Sequence, residues 1–449
     1  MNEVQVEFKS EIFKKYKHLI QDTTFVKRKG YIVRVIGLIY EAVGPLAAVG
    51  EKCIIQERSG DVKGLAEVVG FRDNHVLLMP VEEIKGIGPG CEVITTGEPY
   101  VVNVSRNLIG RIIDGLGRPI DGKAAIVPEK KQPISAAPIK ALKRARVTDF
   151  VSTGIRSIDG LITLGKGQKV GIFSGSGIGK SILLGMIARN TRADINVIGL
   201  IGERGREVRD FIEKDLGPEG LKRSVVVAVT NDESALLRIK GAMTATAVAE
   251  YFRDQGMDVM LMMDSITRIA MAQREIGLSA GEPPTMRGYP PSMYAMLPRL
   301  LERAGNAQHG SITGVYTVLV EGDDLSEPVS DTVRAILDGH IVLSRRLADA
   351  NHYPAVDVLT SVSRLMIDVI SSDHRNAANK LINLLSAYRD AEDLINIGAY
   401  AKGSNPRIDT AMSMIDKINS YLRQDIFEKA EWKDSIQKLI DMMENVTIN

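Results

Sequence analysis

The chain has 449 residues, 44% apolar and 25% charged, which is ordinary for a globular protein of two or three domains with a large core. Its 57 basic and 56 acidic residues nearly cancel to +1, which excludes the global basic field of most nucleic-acid binders and leaves only a local patch open. Two cysteines, Cys53 and Cys91, exclude a disulfide framework and suit a reducing compartment, and the six histidines show no zinc-type spacing. The opening Met-Asn-Glu-Val-Gln-Val-Glu has no apolar core, so a secretory signal is not expected. No uninterrupted apolar stretch of about 18 residues exists, so no membrane span is expected either.

Residues 1–24 read as an amphipathic helix. Phe8, Ile12, Tyr16, Leu19 and Ile20 recur at helical spacing, with Lys9, Lys14, Lys15 and Lys17 opposite. Such a helix either docks on its own protein or serves a partner or a membrane surface. From Phe25 to about Glu98 the pattern changes to short β runs, Tyr31–Ile36, Lys52–Ile55 and His75–Met79, separated by glycine-containing turns. That spacing suggests a small β-barrel. Barrels of this kind can bind oligonucleotides, but these strands lack the interleaved aromatic and basic residues that role needs. Residues 124–150, rich in Lys, Pro and Ala, read as a linker.

Between about Val151 and Arg364, helical stretches alternate with continuous apolar strands: Lys169–Phe173, Ile195–Ile201, Ser224–Val229, Val259–Met263, Ile312–Val320 and His340–Leu343. Runs buried on both faces predict a mostly parallel α/β sheet. Beyond Arg364 the strands stop, and helices are predicted over Ala377–Tyr388 and Asp409–Leu422. The lone Trp432 is expected to pack in that last third.

The most informative run is Gly171–Ser181, a strand followed by Ser174-Gly175-Ser176-Gly177-Ile178-Gly179-Lys180-Ser181. Glycines let backbone N–H groups close on phosphates while the following helix N-terminus adds positive potential. Lys180 is expected on the β/γ-phosphates and the Ser181 hydroxyl on Mg²⁺. The strict pattern G-x-x-x-x-G-K-[ST] is broken at its first glycine, where Ser174 stands. Asp264 ends an apolar run and either holds Mg²⁺ through its water shell or caps the next helix. Glu203 and Arg204 follow Ile195–Ile201. Glu203 suits a general base and Arg204 a γ-phosphate contact, with a plain surface ion pair as the alternative.

This constellation resembles the F1/V-type family of hexameric RecA-like ATPases. Gly110–Asp121, Gly154–Asp159, Tyr353–Asp357 and Ser361–Arg364 carry the likeness over nearly the whole chain. Within it, Arg274–Leu278, Gly281–Pro284, Arg287–Pro291, Pro298–Gly305, Glu321–Asp324 and Leu337–Arg345 are similar to the flagellar and type III protein-export ATPases. Ala399–Gly403 and Tyr421–Gln424 lean toward the flagellar branch.

The resemblance implies an N-terminal β-barrel (25–98), a connecting segment (99–150), a RecA-like ATPase domain (151–364) and a C-terminal helical domain (365–449). It implies that Tyr353 stacks on adenine. It implies also that Arg364 is an arginine finger reaching a neighbouring subunit's γ-phosphate, so that one chain carries both halves of the site and forms a homohexamer. Because family members accept Gly or Ala where Ser174 stands, a left-handed backbone is not expected there.

By the same resemblance, Ala280–Pro291 faces the central hole and meets a coiled-coil stalk, and residues 1–24 bind a peripheral, stator-like regulator. The implied function is Mg²⁺-dependent ATP hydrolysis that powers flagellar type III export, unloading chaperones from export substrates. The implied location is cytoplasmic, at the membrane export gate, with ATP and ADP as ligands and no nucleic acid. Three alternatives are a virulence injectisome ATPase, a non-catalytic nucleotide-binding ring subunit and an RNA translocase. Glu203 argues against the second, and the charge balance argues against the third.

Overall fold

The computed structural model describes residues 28–320, 322, 324, 326–444 and 446, so the helix expected over residues 1–24 lies outside the described residues. The chain divides into two units, ending and beginning at Pro99 and Tyr100.

In the first unit, β1 (Lys29–Ile36), β2 (Ile39–Val43), β3 (Lys52–Gln56), β4 (Val62–Arg72), β5 (His75–Pro80) and β6 (Glu92–Thr95) close into a barrel of order β1-β2-β5-β4-β3-β6. Neighbouring strands are antiparallel, and β1 pairs with β6 to seal the cylinder. Alternation along the strands sends Ile32, Ala42, Cys53, Ile55, Ala66, Val68, Leu78 and Val93 inward. Burial pushes the Cys53 thiol up to about 12, so it packs as a small apolar group and not as a nucleophile. The barrel has three strands beyond the runs that periodicity marks. β4 is masked in the sequence by Gly64 and Gly70 and by a bulge between Val68 and Gly70.

In the second unit, β7 (Val101–Val104), β8 (Arg111–Ile113) and β9 (Lys130–Pro133) come first, and β7 and β9 form a two-stranded ribbon. After the short pair β10 (Phe150–Val151) and β11 (Leu164–Gly165) come β12 (Lys169–Ser174), β13 (Ile195–Glu203), β14 (Ser224–Thr230) and β15 (Asp258–Asp264). Then follow β16 (Gly305–Asn306), β17 (Ser311–Leu319), β18 (Gly339–Leu343) and β19 (Val362–Ser363). The sheet runs β19-β18-β12-β17-β15-β13-β14-β8, parallel from β18 to β8, with β16 paired to β17 off that path. The six apolar runs are six of these strands. β8 sits at the sheet edge, inside the Gly110–Asp121 motif.

Three long helices, Ser372–Asn396, Pro406–Leu422 and Trp432–Glu444, form the last layer. They share one core with the sheet: Leu381, Leu384, Ile418 and Leu439 pack with Ile158, Ile172 and Leu184. Trp432 stacks on Phe150 with ring centroids 3.8 Å apart, and His374 meets its edge.

Among the described residues, the Arg303–Glu250 ion pair is deeply buried. Arg303, 3% exposed, donates to both oxygens of Glu250, 5% exposed, at 2.9 and 2.7 Å, and its third contact is the Ile134 carbonyl at 2.7 Å. It pins the connecting segment to helices Ala235–Asp254 and Pro291–Leu301. Glu250→Ala strands a buried cation, so we expect a loss of about 3–5 kcal/mol. That loss is read as a lower urea midpoint by far-UV circular dichroism, and an unchanged midpoint refutes it.

Candidate nucleotide site

β12, β17, β15 and β13 are consecutive and parallel, so their C-terminal ends share one edge of the sheet. β12 ends at Ser174, β15 at Asp264 and β13 at Glu203, so strand order alone gathers three distant segments.

Past β12 the chain loops through Gly175–Gly179 and enters a helix at Lys180. Gly177 and Gly179 have φ of 78° and 96°, where a side chain costs ~1–2 kcal/mol. The Gly179 cap offers no side-chain hydrogen bond, so the first-turn N–H groups are left for an anion. Ser174 closes the strand in an extended conformation, outside the left-handed region. The missing first glycine therefore strains nothing, as expected. The Ser174 hydroxyl is buried without a hydrogen-bond partner.

Lys180 Nζ lies 2.5 Å from Asp264 Oδ1 and 3.7 Å from Glu203 Oε1. Asp264 Oδ1 also accepts the Thr317 hydroxyl at 2.7 Å, from the strand between β12 and β15. Burial opposes the Lys180 charge, but Asp264 and Glu203 outweigh it and its pKa is raised. The helix after Asp264 is capped by Ser265, whose hydroxyl accepts from Arg268 N–H. Asp264 is thus not the cap, and its carboxylate faces the lysine. Burial pushes the Glu203 carboxyl up to about 7; Lys180 pulls against that shift and Asp264 adds to it. Glu203 Oε1 makes no hydrogen bond, so Glu203 is no surface ion pair. Arg204 reaches Glu207 at 3.3 Å instead and stays largely exposed.

A cleft of about 990 Å³ opens above this edge. Gly175, Ser176, Gly177, Gly179, Lys180, Ser181, Glu203, Arg204 and Tyr353 all line it. Ile178 turns away, 1% exposed, into the floor of a small apolar slot of about 30 Å³ shared with Ile182, Tyr353, Pro354, Ala355 and Ile426. Asp264 lies behind the cleft wall at 2% exposure. Arg364 is the one predicted site residue that the fold keeps apart. It follows edge strand β19, is exposed, and bonds through its backbone N–H to the Asp338 carbonyl.

Four groups in or beside the cleft were not among the site residues expected from the sequence, although Arg287 and Arg345 lie within runs that carry the family resemblance. Arg268 projects into it with Nε buried and unpaired, and its charge also lowers the Glu203 pKa. A Cβ on Gly202 would stand 2.9 Å from Arg268 Cβ, so glycine there admits the arginine. Its position one turn after Asp264, pointing back toward the strand end, was the available signal. Arg345 donates to the Ser176 carbonyl at 3.3 Å. Arg287 also lines the cleft, in a left-handed conformation at φ 50°, and pairs with Asp324 and Glu327. Thr317 is the fourth. Arg287 lies within Ala280–Pro291, which is an ordered connection: Thr285 bonds the Tyr289 carbonyl through both N–H and hydroxyl, and Glu282 accepts from Ser292 N–H.

The family model of the ATP synthase alpha/beta nucleotide-binding domain matches residues 154–363. The beta-barrel domain of that family matches 32–97, and the T3SS EscN ATPase C-terminal domain matches 370–441. The chain is 54% identical to the flagellum-specific ATP synthase of Bacillus subtilis, over 95% of this chain and 98% of the relative. It is 48% identical to the type 3 secretion system ATPase of Xanthomonas euvesicatoria, over 93% and 95%. The assembled ATPase EscN of enteropathogenic E. coli superposes with a TM-score of 0.87 at 43% identity, covering 92% of this chain and 99% of that one. The same ATPase in complex with its central stalk EscO gives 0.85 at 42% identity, with the same coverage.

A Cβ on Gly179 would sit 3.7 Å from the Tyr353 ring, an ordinary contact, so within the protein Gly179→Ala acts through backbone strain and not through a clash. We expect it to weaken binding of a fluorescent ATP analogue by roughly 5–30-fold. Equal affinity in equilibrium titration refutes a required left-handed loop.

Proposed function

The chain belongs to the ATP synthase alpha/beta family, in its branch of flagellum-specific and type III secretion ATPases, and from that premise we propose how it hydrolyses ATP and where it acts. The observation that carries the reading is the split of functional groups within one chain. Lys180, Glu203 and Asp264 converge at one sheet edge, while Arg364 stands exposed outside their cleft.

In the proposed mechanism the loop N–H groups and Lys180 bind the triphosphate, and Lys180 moves its charge from Asp264 toward the phosphates. Glu203, poised near neutrality and lacking a hydrogen bond at Oε1, orients and deprotonates the attacking water, a contribution of about 10²–10⁴-fold. Arg204 and Arg268 lie on the γ-phosphate side. Arg364 of a neighbouring copy supplies the remaining positive charge, a contribution of about 10³–10⁵-fold. Tyr353 stacks on the base beside the apolar slot.

Among the described residues no cluster of three or more His, Cys, Asp or Glu could cage a metal. The donor set at the loop, one hydroxyl and one carboxylate, instead suits Mg²⁺ arriving with the nucleotide, held by Ser181 directly and by Asp264 through water. When bound, Mg²⁺ neutralises developing phosphate charge.

Every interface of a homohexamer would then be catalytic. The solved assembly of EscN, and its complex with the stalk EscO, support an assembly and a stalk partner for this chain; the assignment of Ala280–Pro291 as the stalk contact is our own and rests on the family resemblance. The higher identity to the Bacillus flagellum-specific enzyme, 54% against 48% for the Xanthomonas secretion ATPase, supports flagellar export over an injectisome. No described helix is long and apolar enough to cross a membrane. We place the enzyme in the cytoplasm at the export gate, acting on chaperoned substrates, with residues 1–24 bound to the peripheral regulator. A knockout that still grows filaments refutes the flagellar assignment.

Two experiments test the mechanism. Lys180→Ala and Arg364→Ala proteins, each inactive, should regain part of the activity when mixed into shared rings, because some interfaces then hold both residues. Demonstrably mixed rings that stay inactive overturn the trans role of Arg364. The second concerns pH. A general base works as the carboxylate, so kcat/KM for ATP should rise with pH through about 7 and level above it. Glu203→Gln should lose most activity together with this limb, and a limb that persists in the residual rate assigns it to another group.

A further inference from the structure

The stretch that follows helix Pro406–Leu422 is wired to the nucleotide cleft by one buried glutamine. Gln424, 5% exposed, engages both amide protons and its oxygen. Its Nε2 donates to the Gly154 carbonyl at 2.8 Å and the Glu428 carbonyl at 2.9 Å, and its Oε1 accepts Arg156 N–H at 2.9 Å. Its own backbone N–H donates to the Tyr353 carbonyl at 2.9 Å. Two residues on, Ile426 forms a wall of the apolar slot beside the Tyr353 ring.

The anchor of this arrangement is Arg156, at the start of helix Arg156–Leu161. Its guanidinium bonds the Tyr421 carbonyl at 2.9 Å and the Arg423 carbonyl, and pairs with the Glu428 carboxylate. A cation there satisfies carbonyls left open at the C-terminus of helix Pro406–Leu422 and complements its dipole. Arg156 correspondingly holds the Glu428 carboxyl below its usual range.

We propose that Gln424 is a positioning residue for the base of the bound nucleotide. Clamped by Arg156 and Gly154, it holds Ile426 and the Tyr353 backbone in place at the apolar slot, so that affinity for the base depends on the seating of the helical layer. Its side chain lines the slot beside Ile178 and Gly179 but hydrogen-bonds neither the phosphate loop nor Lys180, Glu203 or Asp264. The clamp therefore acts on the base half of the ligand and leaves the phosphate half alone. The inference rests on the assignment of Tyr353 to the base.

The test compares two ligands in the full-length protein. ATP carries the base, and inorganic tripolyphosphate carries only the phosphates. Gln424→Met keeps length and packing but loses all three side-chain hydrogen bonds. Gln424→Glu keeps shape while setting a carboxylate against two carbonyls. For both we expect KM and Kd for ATP to rise about tenfold, with kcat and the inhibition constant of tripolyphosphate changed less than about twofold. Glu428→Gln, on the solvent side of the clamp, should give a smaller shift of the same kind without endangering folding.

Tyr353→Ala is the control. It should reproduce the selective loss, and adding Gln424→Met to it should change little more. If Tyr353→Ala is selective and both clamp variants bind ATP normally, the clamp is overturned while the base assignment stands. If the clamp variants weaken both ligands equally, Gln424 is merely structural and the proposal fails. If Tyr353→Ala leaves ATP binding unchanged, both fall together.

Discussion

The site depends on one contact, the Lys180 ammonium set against Asp264 and near Glu203 at the end of three parallel strands. A lysine half-buried at the foot of the cleft is held by the carboxylates that face it, and removing them would leave its charge poorly compensated. The contact presupposes the strand order β12-β17-β15-β13, because no local segment brings residues 180, 203 and 264 together. Thr317, on the intervening strand, fixes the oxygen that faces the lysine. The sheet is in this sense built to hold a charge in readiness, and a triphosphate entering the cleft becomes an exchange partner for carboxylates already in place.

Around that charge the molecule divides its tasks by rigidity. In the proposed mechanism the phosphate side rests on buried strands and a short left-handed loop, while the base side rests on Tyr353 and on a segment contributed by the helical layer. The two halves therefore answer to different parts of the chain. Arg364 stands outside the cleft after an edge strand, and in the proposed mechanism its task is carried out against another copy. Burial leaves Glu203 poised near neutrality, the range in which a proton can be taken and returned.

Much of this was legible in the chain itself. Continuous Val/Ile/Leu/Met runs announced six buried parallel strands because burial on both faces removes alternation. The loop at 174–181 announced its own backbone through its glycines. Asp264 and Glu203 were visible as carboxylates ending apolar runs. Arg268 was not, since an arginine early in a helix has no pattern until the strand it points back toward is placed. Thr317 looked like any strand threonine. β4 hid behind its glycines and bulge, and helix Trp432–Glu444 behind a polar surface of mixed charge. The Arg156–Gln424 clamp joins segments far apart in sequence, a distance that periodicity does not span.

Trp432 is the sole tryptophan, and it lies flat on Phe150 with the His374 ring at its edge. Phe150 leads into the sheet domain, whereas Trp432 opens the final helix and His374 begins another. The molecule thus carries a built-in optical gauge at the seam between its sheet and its helices. Any turnover-linked shift of that seam alters the stacking, and with it the emission of a single, unambiguous fluorophore, without a dye or an engineered label.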